Sequence, residues 1–389
     1  MKKAIVILAA ALLLAACADA PGDVVSRSEG SERSDSAERT KSAEVSEPAP
    51  GGEQVTERIS PSELKAGDAA AAERIKGRKY DNLKFAETFS VNGADAPELG
   101  VYEAAKRTDI PENAEAIIRA YFGAGTDTSK IVRSSQPEDP VTAVFEQDGV
   151  KLTIAPNAVF IQDLSAQHPG RTYSSEDKAE QVYEVTDAFA DSTLAFETGE
   201  DRVGSLADMN AGFLNALAGL GYEYHPFAAA SLTNDAQGTR NTVVMTYSSC
   251  FKSLPVFNLV YAVKNGGESD LAYSLTESNA AVFDAPGKLC SLLFTSTYQE
   301  TSKVSALDSI ISPDFAVETA SRELAEYLEL TALRLDLVWL PEIPEDAPAN
   351  DNSRVTVKPC WLLLFGLQPL REHYALIDAQ IGKVTYYEP

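Results

Sequence analysis

Few residues in this sequence could carry chemistry. The histidines are His168, His225 and His373. None has a second His or a Cys at the short separations from which zinc sites are built. Glu372-His373 lacks the second histidine of a zinc-protease helix. The spacing therefore predicts no metal site and no cofactor. G-x-S-x-G, S-x-x-K, P-loop and G-x-G-x-x-G motifs are absent. Gly123-Ala124-Gly125 reads as a helix end rather than a phosphate cradle. Carboxylates are plentiful, and a glycosidase needs only two at ~5–9 Å, yet the sequence singles out no pair. Asn234 to Gly238 and Asp346 to Asn352 are acidic turns that could hold Ca²⁺, but neither fits an EF-hand and both read as solvated loops. Trp339, Trp361, Tyr386 and Tyr387 could line a groove, though their strand-like settings point to core packing and cross-strand pairs. No catalytic residue emerges, and the chain is not expected to be an enzyme.

Cys17 is different. Lys2 and Lys3 precede an unbroken apolar run from Ala4 to Ala16. At 13 residues this run is shorter than the ~20 needed to span a bilayer, and it has the length of a signal-peptide core. It ends in Leu14-Ala15-Ala16-Cys17. Small residues ahead of a cysteine at this position resemble the lipobox of bacterial lipoproteins. That resemblance implies removal of residues 1–16 and acylation of the Cys17 thiol, palmitate being the typical chain. Stable anchoring takes more than one acyl chain. Residues 18–60 contain no aromatic residue and are rich in Ser, Glu and Ala. Such a segment cannot bury enough apolar surface to offset its ordering entropy. It reads as a tether with an end-to-end distance of roughly 35 Å, at the extracytoplasmic face of a cell membrane.

The formal charge is −25. Losing Lys2 and Lys3 with the signal segment takes it to −27. That argues against nucleic acid and against anionic lipid surfaces, both of which attract Lys and Arg. It is compatible with basic peptides or cations, and with simple solubility. Beyond Cys17 lie Cys250, Cys290 and Cys360. An odd count outside the cytoplasm allows one disulfide, with Cys250 and Cys290 as the candidate pair. Three buried, reduced cysteines are the alternative.

Three helices are legible. One follows Ile110-Pro111, with Ala114, Ile117, Ile118, Tyr121 and Phe122 on one face and Gly123 at its end. One starts at Ser205, with a stripe of Leu206, Met209, Phe213, Leu217 and Leu220 stopped by Gly221. One opens at Ser312-Pro313-Asp314. Strand-like sequence follows each. Val141–Glu146 and Val150–Ile154 flank Asp148-Gly149, a hairpin signal. The resulting expectation is an α+β protein with antiparallel sheets each packed by one helix, in recurring helix-then-β-meander units. A polar stretch at 165–178 divides an N-terminal region (61–165) from a C-terminal one (179–389).

The last third carries a second resemblance. A helix is followed by Leu333-Arg334-Leu335-Asp336-Leu337-Val338-Trp339, then Val357-Lys358-Pro359-Cys360-Trp361, then Tyr374 to Val384 with Asp378-Ala379-Gln380-Ile381-Gly382-Lys383. This order is similar to PepSY-type and YycI-type extracytoplasmic domains; the resemblance covers about residues 240–389, with 301–389 as the PepSY-like helix plus strands. It also resembles a group of uncharacterised Gram-positive lipoproteins, which share a Pro-Val segment like Leu254-Pro255-Val256. The resemblance implies a non-catalytic module that binds or restrains an envelope protein or peptide. A solute-binding lipoprotein and a carboxylate-dependent envelope hydrolase are the alternatives.

Overall fold

A computed structural model describes residues 57–387, apart from 94–97, 135–141, 166–177, 185–210, 234–240, 264–268, 275–278, 285–287, 296, 327–328, 345–352 and 369–370. Cys17, His168 and the two acidic turns lie outside the described residues. Ser60 caps helix α1 (Pro61–Lys76), and Glu63 closes the reciprocal capping box, with Pro61 in the first turn. Just before it, β1 (Arg58–Ile59) pairs with β17 (Ile310–Ile311). The Arg58 guanidinium donates to Ser309 Oγ, Ser309 O and Gln380 O.

The protein is mostly β, which corrects the α+β expectation. Its first large sheet contains β2 (Leu83–Asn92), β3 (Gly100–Lys106), β16 (Tyr298–Ala306), β18 (Leu330–Glu342), β19 (Arg354–Gln368), β20 (Arg371–Asp378) and β21 (Val384–Tyr387). The order is β16-β3-β19-β18-β2, with β20 also on β19 and β21 outside β20. β2 and β18 run parallel. β19 bonds β18 along one edge and splits its other edge: residues 354–357 pair with β3, residues 360–368 with β20. Pro359 stands at that changeover. Its carbonyl accepts from Ala379 N on the split edge, so its missing N–H falls where neither β3 nor β20 is paired.

Alternation along these strands is strict. Leu335, Leu337 and Trp339, with Val357, Trp361, Leu363, Ala375 and Ile377, face α1 and helix α4 (Pro313–Glu323). Val338, Leu340, Cys360, Leu362, Leu364, Tyr374 and Leu376 face the other way, onto Phe227 and Phe257. Burial on both faces explains why these strands read as near-continuous apolar runs. A buried ion pair also lies on this second face. Arg334 Nε meets Asp336 Oδ2 at 2.7 Å, Asn92 donates to Asp336, and the guanidinium covers the Phe227 ring at 4.4 Å.

The second large sheet has ten strands and is antiparallel. One half is β4 (Val132–Arg133), β5 (Ala143–Gln147), β6 (Val150–Ala155), β7 (Ala158–Asp163) and β15 (Lys288–Thr295). The other half is β14 (Ala280–Asp284), β10 (Asn241–Phe251), β9 (Tyr224–Thr233) and β8 (Lys178–Glu184), with β11 (Leu254–Pro255) on β10. β12 (Asn258–Val263) and β13 (Ser269–Ser274) make a separate pair. Helix α2 (Ala114–Phe122) and helix α3 (211–219) pack on one face through Ile117, Ile118, Phe213 and Leu217, against Phe145, Leu152, Tyr247 and Phe294. Gly221, at φ 84°, follows α3, and a Cβ there would meet Arg107 Nη1 at 2.2 Å. That Arg107 Nη1 donates to the Leu220 and Gly221 carbonyls while its guanidinium lies over the Tyr222 ring.

The helix positions read from sequence match α2, the described part of α3, and α4, as does the Asp148-Gly149 turn, with φ of 53° and 80°. The expected architecture does not match. Two helices lie against one face of each large sheet, and the sequential runs β4–β7 and β18–β21 are built into the sheets by long-range ladders: β2 pairs with β18, β3 with β19 and β7 with β15. These ladders cross the 165–178 stretch.

Trp361 is fully buried and donates its indole N–H to Ile311 O. Replacing it with Ala should cost about 3–5 kcal/mol of unfolding free energy in urea titrations. Val304→Ser on the exposed β16 should shift stability by no more than about 0.5 kcal/mol.

Candidate functional site

Three side chains of different donor type converge on the second sheet. Glu223 precedes β9, and His225 is two residues on, so both project from one face. Across the ladder His225 pairs with Ser248, and Cys250 N donates to Glu223 O. Ser248 and Cys250 therefore share that face. Tyr224 turns to the other face and stacks on Phe294 at 4.4 Å. The carboxylate, imidazole and thiol donor atoms of Glu223, His225 and Cys250 all lie within 4.8 Å of one another. Glu223 Oε1 and His225 Nε2 are 3.0 Å apart. The thiol is buried, whereas the Glu223 and His225 side chains are 32% and 46% exposed, which leaves the cluster open on its outer side.

The turn next to the cluster is strained. Lys252 (φ 48°) and Ser253 (φ 65°) occupy the left-handed region, though neither is glycine. Each such residue costs roughly 1–2 kcal/mol. The turn holds two contacts that Asn-Gly could not supply in full. Lys252 Nζ pairs with Glu300 Oε2 at 2.6 Å and sits over the Tyr102 ring. The Ser253 amide donates to the Glu223 carboxylate.

The electrostatics follow from these contacts. The hydrogen bond from His225 holds the Glu223 carboxyl below its usual range, against burial, with help from the Ser253 amide. Burial pushes the Cys250 thiol well above its usual value, and the nearby Glu223 charge adds to that. Cys360 is likewise pushed up by burial and donates to Ile377 O.

The three body cysteines are reduced and buried. The expected Cys250–Cys290 bridge is not formed. β14 lies between β10 and β15, so the two strands stand two spacings apart, about 9–10 Å. That exceeds the Cα separation of about 4.4–6.8 Å that a disulfide spans. His373 is elsewhere, bonded to Tyr386 Oη. Trp339 and Trp361 are fully buried in the helix-side core, the packing role expected from sequence. Sequence reasoning missed the convergence on Cys250. Glu-x-His on a strand was a usable signal for a shared face, but Cys250 is opposite only because of the β9–β10 register.

No family model matches the chain, and no curated protein matches it. Among solved structures, an uncharacterised protein from Eubacterium rectale aligns with 79% of this chain and 92% of its own, at 12% identity and a TM-score of 0.44. A likeness at that level carries no inference about function.

Glu223 has a lowered folded pKa, so its contribution to stability is fully present above the unfolded value and is lost as pH falls through the folded one. The melting-temperature gap between the parent protein and Glu223→Gln should narrow and close as pH falls below about 4.5. A gap independent of pH would show that the carboxylate charge does not stabilise the fold.

Proposed function

We propose that the chain is a lipid-anchored extracytoplasmic lipoprotein whose body is a non-catalytic binding module for an envelope protein or peptide. One observation carries the reading: the lipobox-like Leu14-Ala15-Ala16-Cys17 is separated by residues 18–60 from a body that starts at a fastened point. There the β1–β17 pair, the three Arg58 hydrogen bonds and the Ser60 cap supply a firm attachment for a tether. The PepSY-like order of residues around Trp339, Trp361 and Gly382 supports a binding role. The Asp378 carboxylate accepts the Gln380 and Ile381 amides there, and Gly382 takes φ 74°. Among the described residues no helix is long and apolar enough to cross a membrane.

Two measurements test this reading. In cells fed an alkyne fatty acid, the parent protein should be labelled and sediment with membranes. Cys17→Ser should lose the label and leave the membrane fraction. A Cys17→Ser protein that stays membrane-bound would contradict the lipid anchor. The acidic body should also retain its envelope partner in low salt and release it as ionic strength rises past the screening range of surface charges.

A further inference from the structure

We propose that Glu223, His225 and Cys250 form a zinc site with one oxygen, one imidazole and one thiolate ligand and a fourth position open to solvent. This inference does not depend on the lipid anchor or on the partner. It stands on the β9–β10 geometry alone.

Tetrahedral zinc bonds of about 2.0–2.3 Å place neighbouring ligand atoms about 3.3–3.8 Å apart. The three donors lie within 4.8 Å of one another, and the Glu223–His225 contact is 3.0 Å. Side-chain rotations of about 1 Å therefore bring all three onto one ion. The backbones need not move, because the site sits on paired strands. The ion takes the place of the Glu223–His225 hydrogen bond. Calcium and magnesium are poor fits, since a thiol and an imidazole are two of the three donors. The Ser253 amide acts as an outer support that orients the Glu223 carboxylate, which gives the strained Lys252-Ser253 turn a purpose. The exposed sides of Glu223 and His225 provide the access route, and the buried thiol closes the site from within. Three protein ligands leave the fourth position to water or an outside ligand, unlike a closed four-ligand structural site.

Binding balances as an ion exchange. Zn²⁺ displaces the Cys250 thiol proton to solvent, an S–Zn bond forms, and nothing is oxidised or reduced.

The test uses the full chain, stripped with a chelator and titrated with Co²⁺ as a spectroscopic stand-in for Zn²⁺. The expected result is one ion per chain, with a sulfur-to-cobalt charge-transfer band and intense tetrahedral visible bands. Cys250→Ser should abolish the charge-transfer band, while Cys290→Ser and Cys360→Ser keep it. His225→Ala, at a half-exposed position, should fold like the parent in the absence of metal, bind at least about a hundredfold more weakly, and lose the zinc-induced rise in melting temperature. Cobalt bound without a sulfur band would mean surface carboxylates only and overturn the proposal. So would a sulfur band that survives Cys250→Ser. If Cys250→Ser fails to fold, His225→Ala decides: undiminished affinity there would also overturn it.

Discussion

β19 needs ladder partners on both edges and apolar neighbours on both faces, and much of the fold follows from meeting both demands. Its two faces separate two cores. On one side α1 and α4 close over Trp361 and Leu363. On the other, Cys360, Leu362 and Leu364 meet Phe227 and Phe257 from the second sheet's side of the molecule. Pro359 allows one edge to change partner without a stranded donor. The second face is thereby fixed in place, and it is the face toward which Phe227 points from β9.

The donor cluster depends on that packing. Glu223, His225 and Phe227 alternate along one stretch of chain, so seating Phe227 against sheet one fixes which way the first two point. A one-residue slip between β9 and β10 would send Cys250 to the opposite face and dissolve the cluster. The register is held from the other side as well, by Tyr224 on Phe294 and by Tyr247 against the same ring. Val256 continues from β11 to bridge Trp339, and Phe257 N donates to Trp339 O, so the turn beside the cluster is joined to the first sheet too. Strain at Lys252 and Ser253 persists because these contacts on either side over-determine it.

Local features were legible in the sequence, and long-range ones were not. Ser312-Pro313, Gly123 and Asp148-Gly149 mark boundaries through backbone chemistry confined to a few residues, and the structure places a helix start, a helix end and a turn there. α1 has a weak sequence signature because two of its four buried apolar positions, Ala71 and Ala72 beside Leu64 and Ile75, are alanine and make a faint stripe next to a polar segment. The mostly-β architecture is not legible because β2 pairs with a strand about 245 residues away, and such a pairing leaves no periodic signal. The same limit governs the site. The shared face of Glu223 and His225 follows from strand period two, but the pairing with Cys250 depends on register. Cys250 and Cys290 both read as strand residues, and only the position of β14 between their strands separates them.

X-ray absorption at the zinc edge of the zinc-loaded chain tests most directly whether β9 and β10 bring an oxygen, a nitrogen and a sulfur donor onto one ion. The expected result is a shell of oxygen and nitrogen at about 2.0 Å together with one sulfur at about 2.3 Å. A shell of oxygen and nitrogen alone, with no sulfur scatterer, would contradict it.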